Sequence, residues 1–311
     1  MQVRTALSVA IIRVARRLLL GTPAQRWRLT ERLHRRVVDG AWGRRDVTVT
    51  FRGVELRVPT KDLTIVPGII GGFYEQHELD LFERLAAASQ KIVDVGGNIG
   101  VYATIGARRM PANGQLIVFE PVPENFELLE ANLNANGLAE RVVLVRVAVG
   151  DSDGDMPLYL APLSIGTHSA SARNASGPHG QAERIMVPVI TLDTHVSTAP
   201  EGNDTPVNLL KIDVEGYDGH VLRGASTLLA RQAPTLLVEY VPAHLDGCGF
   251  PKDEFLDRIF SCYDAVWSIT GPTGRISKAT LEDVRQGPNA NLVAVSDPLH
   301  MQIVEDWATK R

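Results

Sequence analysis

Lys91-Ile-Val-Asp-Val-Gly-Gly-Asn-Ile-Gly100, with Gln115-Leu-Ile-Val-Phe-Glu120 behind it, decides how this chain folds. Ile92, Val93 and Val95 make a short apolar run suited to an inner parallel strand covered on both faces. Gly96, Gly97 and Gly100 then allow a sharp turn in which the backbone approaches a ligand closely. Asn98 tolerates unusual backbone angles and is expected to cap a helix starting near Ile99. Glu120 closes the next strand, where a carboxylate accepts both hydrogen bonds of a ribose diol.

This is the pattern of a site for a nucleoside-containing cofactor, and its details separate the candidates. The turn reads Gly-Gly-Asn-Ile-Gly, so the G-x-G-x-x-G spacing that seats a pyrophosphate on a helix N-terminus is absent. Asp94 precedes the glycines; a carboxylate there repels a pyrophosphate but suits the cationic amino-acid end of S-adenosylmethionine. S-adenosylmethionine is therefore the expected cofactor.

Around this centre the chain alternates strand and helix. Strands are expected at 91–95, 116–120, 142–147, 207–213 and 235–240, with helices at 99–109, 124–136, 217–231 and 252–261. Two more strands follow, at 263–269 and 291–295, and a helix around 75–88 leads in. The pattern predicts an α/β fold with a doubly wound, mostly parallel, seven-stranded sheet. Residues 71–300 are assigned to that domain and 1–70 to an extension made of a basic helix and a β-hairpin (46–60, with Arg52-Gly53 at its turn). An irregular insert spans 151–190; residues 161–184 have no apolar period, while Met156–Leu160 and Arg184–Ile190 have the composition of an antiparallel ribbon.

The 311 residues carry a net charge of −4, which gives no case for nucleic-acid binding. The charge is uneven: residues 1–45 hold eleven arginines against Glu31 and Asp39, or +9, leaving −13 for the remainder. In the first 20 residues Leu7, Ile11, Val14 and Leu18 recur at helical spacing beside four arginines. Three readings of that segment stay open: a helix packed on the domain, a basic helix in peripheral contact with an anionic membrane surface, or an organelle transit peptide. Cys248 and Cys262 make no disulfide framework, so a cytoplasmic setting is expected, with the inner membrane surface as the peripheral variant. Oligomeric state is not legible.

In an open α/β sheet, ligands bind beyond the carboxyl ends of the strands. The chain places Asp94, Glu120, Asp213, Glu215 and Glu239 there, on four strands. Each acid also has a structural reading, as a helix cap or a partner of a helix dipole. His168, in Gly166-Thr-His-Ser169, and His179 lie in the irregular insert, where a surface histidine is the plain reading and a catalytic base the functional one. Candidate bases are Asp213, Glu215, Glu239 and His168. No metal is expected, because there is neither an i, i+4 histidine pair nor an Asp-x-Asp-x-Asp-Gly loop.

An ordered set of motifs carries a family resemblance. Asp94-Val-Gly-Gly-Asn-Ile-Gly100, Phe119-Glu-Pro-Val-Pro-Glu-Asn-Phe126, Asn132-Leu-Asn-Ala-Asn-Gly137, Ala148-Val-Gly-Asp151, Thr191-Leu-Asp193, Lys211-Ile-Asp-Val-Glu-Gly216 and Leu222-Arg-Gly-Ala225 together resemble the FkbM-type methyltransferases. The resemblance spans about residues 70–260 and implies a Rossmann-like class I methyltransferase fold, S-adenosylmethionine as donor, and O-methylation of a sugar, glycan or secondary-metabolite hydroxyl. It implies that Asp94, Gly96, Asn98 and Gly100 hold the methionine part, that Glu120 holds the ribose, that Val147 and Ala148 border the adenine, and that Asp213 lies near the sulfonium. Gly97 departs from the family, which often has alanine there. Loops 151–190 and 241–251 are expected to shape the acceptor pocket. The alternative is a non-catalytic or membrane-tethered accessory protein on the same scaffold.

Overall fold

Inner strands with both faces covered read as largely apolar runs; Leu116–Phe119 is unbroken, whereas Asp94 and Lys211 interrupt the next two strands of the sheet. The computed structural model describes residues 46–176, 181–197, 205–271 and 274–310. The basic segment 1–45 and His179 lie outside the described residues. No described helix is long and apolar enough to cross a membrane.

The described residues fall into two compact units, those of 46–76 with 163–166, and those of 77–162 with 167–310. In the smaller one, β1 (Asp46–Phe51) and β2 (Val54–Pro59) pair antiparallel across Arg52-Gly53. Both turn residues have positive φ, 48° and 82°, the twist a two-residue hairpin loop needs. Val54, Leu56 and Val58 are buried in alternation with exposed Glu55 and Arg57. The Asp62 carboxylate accepts the backbone N–H groups of Thr64, Ile65 and Val66, which lead into α1 (Val66–Gly71), and that of Ile165 at 2.8 Å. Residues 163–166 of the insert thus belong with this unit.

The larger unit follows as α2 (Gln76–Ala87), β3 (Lys91–Val95), α3 (Val101–Arg109), β4 (Gln115–Phe119), α4 (Pro123–Ala135), β5 (Val142–Val145), β6 (Ala148–Val149), β7 (Gly154–Leu160), α5 (Ala172–Ala175), β8 (Glu183–Ile190), α6 (Leu192–Ser197) and β9 (Leu209–Ile212). It closes with α7 (Asp218–Gly224), α8 (Ser226–Gln232), β10 (Thr235–Tyr240), α9 (Pro242–Gly247), α10 (Lys252–Cys262), β11 (Ala265–Thr270), β12 (Arg275–Lys278), α11 (Leu281–Gln286), β13 (Ala290–Val295) and α12 (Pro298–Ala308). The main sheet runs β12-β11-β13-β10-β9-β3-β4-β5. Strands β10, β9, β3, β4 and β5 are mutually parallel, and β13 is antiparallel to both β10 and β11.

Eight strands replace the expected seven. The addition, β12, pairs antiparallel with β11 and has no apolar alternation, because it is a largely exposed edge. The expected helix 217–231 is two, α7 and α8, separated at Ala225. At Gly224, beside the break, a Cβ would lie 1.8 Å from the Gly150 carbonyl oxygen, so the chain passes backbone against backbone there. The second helix is capped from elsewhere, by the Asp193 carboxylate accepting Thr227 and Leu228 N–H at 2.8 and 2.9 Å. The ribbon at the ends of the insert forms as β7 and β8, with Met156 opposite Val187 and Leu160 opposite Glu183, and β6 adds parallel to β8. Both cysteines are free thiols.

On one face of the sheet, Val93, Val95, Ile117, Phe119, Leu210 and Ile212 pack with residues of α7, α8 and α10 in one core. The intervening residues of β3 and β9 therefore face the other way, and Asp94 and Lys211 stand directly opposite each other in register.

Candidate functional site

At the carboxyl end of β3 the backbone is pinned to both neighbouring strands. Gly96 and Gly97 N–H donate to the Phe119 carbonyl, each at 3.0 Å, and Asp213 N–H donates to that of Val95 at 3.0 Å. Gly96 has φ +88°, and a Cβ on it would sit 2.0 Å from the Asp213 carbonyl oxygen, so no other residue fits. The space that an alanine methyl would take at position 97 is filled by Val118, whose Cγ1 would be 2.3 Å away. This explains the departure from the family at Gly97.

Asn98, at φ 49°, donates its N–H to Glu120 Oε2 at 2.8 Å and accepts from Ile99 N–H through its own side chain. It does not cap the helix as expected. The helix begins at Val101 with Gly100 (φ 85°) at the cap position and no side-chain capping bond. Glu120 is buried, and its second oxygen accepts Val122 N–H at 2.9 Å. Burial pushes its carboxyl up to about 7, against the opposing pull of those two N–H groups.

Asp94 lies within β3 rather than beyond its end, fully buried. Neither of its carboxylate oxygens has a hydrogen-bond partner among the described residues. Lys211 Nζ is 3.5 Å from Asp94 Oδ1 and 3.3 Å from Asp213 Oδ2, and lies 4.6 Å from the centre of the Tyr102 ring. Burial nevertheless raises the Asp94 carboxyl above its ordinary range, Lys211 opposing. The charge in an otherwise apolar Leu-Leu-Lys-Ile strand was the available signal for Lys211, which the sequence reading passed over. The Asp94 carboxylate is thus ion-paired with Lys211 on one side while neither oxygen accepts a hydrogen bond from a described residue, which leaves it able to receive a further donor. Val147 is half-buried and Ala148 buried, just past β5; Ala148 shares a small apolar cluster with Val122, Met156 and Val189.

A second group gathers at the ends of β9 and β10. Asp218, buried on α7, accepts Val214 N–H at 3.2 Å and Gly216 N–H at 2.9 Å, fixing the turn that holds Glu215 at φ 54°. Burial pushes the Asp218 carboxyl up to about 6. From the insert, Ser169 Oγ donates to the Glu215 carbonyl at 2.7 Å, and Asn174 Nδ2 donates to that carbonyl and to the His244 carbonyl at 3.3 and 2.9 Å. Glu215, Glu239 and His244 thereby converge, each presenting one ligand-type atom within 4.8 Å of the others. His244 was not singled out from the sequence, although it stands in the 241–251 loop assigned to the acceptor pocket.

Of the four candidate bases, Glu215 and Glu239 are brought together, and Asp213 is held by Lys211. His168 is placed differently. Its Nδ1 accepts the Ala161 N–H at 3.0 Å, which leaves the proton of the neutral ring on Nε2 and no free lone pair for a base.

The β5-β4-β3-β9-β10-β13-β11 order, with a glycine turn after β3 and an acid after β4, defines a class I methyltransferase fold of Rossmann-like type. Residues 94–262 match the methyltransferase FkbM domain, and the chain belongs to that family, whose methyl donor is S-adenosylmethionine. Similar curated proteins include the hexuronic acid methyltransferase AglP of Haloferax volcanii, 27% identical over 180 residues, covering 58% of this chain and 65% of that one. Another is methyltransferase 1 of Beauveria bassiana, 28% identical over 146 residues, covering 43% of this chain and 57% of that one. The chain thus spans less than two thirds of the length of either. Among solved structures, an FkbM methyltransferase from Methylobacillus flagellatus aligns with a TM-score of 0.40 and 16% identity, over 67% of this chain and 44% of that one.

Proposed function

We propose that the protein is an S-adenosylmethionine-dependent O-methyltransferase acting on a hydroxyl of a sugar, glycan or related small molecule. The buried Asp94 carboxylate beside the Gly96 turn, whose oxygens accept no hydrogen bond from a described residue, is the observation that carries the cofactor half of this reading. The carbohydrate acceptor rests on the likeness to a protein described as a hexuronic acid methyltransferase.

In this reading Asp94 and the 96–100 turn receive the amino-acid end, Glu120 the ribose, Val147 and Ala148 the adenine edge, and Asp213 lies toward the reacting end. When bound, S-adenosylmethionine supplies an electrophilic methyl group for a one-step displacement. The protein's contribution is alignment, which can reach about 7–11 kcal/mol in ideal cases, and removal of the hydroxyl proton. That second task depends on the Glu215–Glu239–His244 group, with Ser169 and Asn174 as positioning residues that fix the Glu215 and His244 backbone. Glu215→Gln is expected to keep cofactor affinity while methyl transfer to a hydroxyl library falls by about 10²–10⁴-fold. His168→Ala is expected to stay near the wild-type rate. Labelled methyl groups traced by mass spectrometry read both variants, and a full rate in Glu215→Gln removes that residue from the reaction.

Cofactor affinity is expected to depend on pH through Glu120. Its carboxyl titrates near about 7 in the free protein, whereas accepting two ribose hydroxyl protons requires the ionised form. Binding therefore releases a proton below that pH, and affinity rises with pH by up to about tenfold per unit until about 7, then levels off. Calorimetry in buffers of different ionisation enthalpy measures the proton release directly. A flat profile from pH 5.5 to 8 would remove Glu120 from the ribose site.

A further inference from the structure

The Glu215–Glu239–His244 group brings two carboxylate oxygens and one imidazole nitrogen within 4.8 Å of one another. His244 Nδ1 is buried and has no hydrogen-bond partner among the described residues. It faces Glu215 Oε2 at 3.6 Å and Glu239 Oε2 at 3.9 Å, both beyond hydrogen-bond reach. These are the separations of neighbouring ligands in a slightly expanded coordination shell, since metal–nitrogen and metal–oxygen bonds of about 2.0–2.2 Å place adjacent ligand atoms roughly 3 Å apart or more.

The three ligands come from three separate elements: the turn after β9, the last residues of β10, and the first turn of α9. Their placement is enforced by backbone. Asn174 bridges the Glu215 and His244 carbonyls, and a Cβ on Gly216 would lie 2.4 Å from the His244 carbonyl oxygen. The two segments are in direct contact, as a preformed site requires.

We propose that Glu215, Glu239 and His244 bind a divalent cation with a mixed oxygen and nitrogen shell, of the Mn²⁺ class, and that the acceptor hydroxyl completes its coordination. The proposal rests on the methyltransferase reading only for the second clause. Two carboxylates suit a hard divalent ion, and one imidazole shifts preference toward transition metals over Mg²⁺ and Ca²⁺. Three protein ligands leave open positions for the acceptor oxygen, and its bound hydroxyl loses its proton to solvent more readily, as water does on a bound metal. The oxygen would then attack the methyl carbon as the carbon–sulfur bond breaks.

The test uses the full chain stripped with EDTA and titrated calorimetrically with MnCl₂, with S-adenosylmethionine titrated in a separate arm. One Mn²⁺ per chain is expected. His244→Ala and Glu239→Gln should each weaken it by at least about 10-fold, both retaining wild-type affinity for S-adenosylmethionine. A wild-type chain that binds S-adenosylmethionine but takes up no Mn²⁺ overturns the cation site and leaves the methyltransferase reading intact. Mn²⁺ uptake that neither substitution weakens also overturns it, by placing the ion elsewhere. A chain that binds Mn²⁺ through these residues but no S-adenosylmethionine upholds the site and fails the cofactor reading instead.

Discussion

Replacing Glu120 with alanine is expected to raise the dissociation constant for S-adenosylmethionine by on the order of 10²-fold. A charge-assisted hydrogen bond contributes about 1.5–3 kcal/mol, and the ribose diol offers two donors to one carboxylate. The side chain also has a task inside the protein. Its oxygens accept the N–H groups of Asn98 and Val122, and so tie the glycine turn to the start of α4. Alanine orphans both donors, at about 1–3 kcal/mol each if no water replaces the carboxylate. Against this, it removes a buried acid whose carboxyl titrates near about 7. An acid whose folded pKa is raised favours folding below its ordinary value and loses that contribution as pH rises through the folded value. The variant should therefore compare worst with wild type at pH 5 and best at pH 8. Calorimetric titration at pH 8, with a thermal melt to show that the variant is folded, separates the two effects. Unchanged affinity in a folded variant would refute the ribose assignment.

The second large effect is expected at Lys211. Its ammonium is the cation next to Asp94, 3.5 Å away and opposite it in register on adjacent strands. Lys211→Met leaves a fully buried carboxylate beside Asp213 with no countercharge. Removing one partner of a buried pair typically costs about 3–5 kcal/mol. The loss should grow with pH, because Asp94 can escape it by taking up a proton. Burial already raises this carboxyl, and removing Lys211 raises it further, so stability is lost as pH climbs above the ordinary aspartate range. Lys211→Met is thus expected to be much less stable than wild type at pH 8 and close to it at pH 5. The double variant with Asp94→Asn should recover most of the deficit at pH 8. Denaturant melts of the four proteins of this cycle give the coupling energy, and a coupling near zero would show that the two groups do not depend on each other.

How much of this was legible beforehand follows the range of the forces involved. The β7–β8 ribbon, the hairpin at Arg52-Gly53 and the inner strands were readable because alternation, turn chemistry and apolar runs are local. The β12 edge was not, since a solvated strand has no apolar period to betray it. The break at Ala225 was hidden as well. It adjoins Gly224, which meets the Gly150 carbonyl 74 positions away in the chain.

The amino-acid order by itself determined the α/β class, the glycine turn with its acids, and the family, because strand-end motifs are short and keep their spacing whatever surrounds them. Only the folded chain decided that Asp94 faces Lys211 from within the sheet, that His168 is engaged by a backbone amide, and that His244 meets Glu215 and Glu239. Those relations depend on which side of a strand faces which helix and on loops held by distant residues such as Asn174. Packing sets such distances, and packing is a property of the whole chain at once.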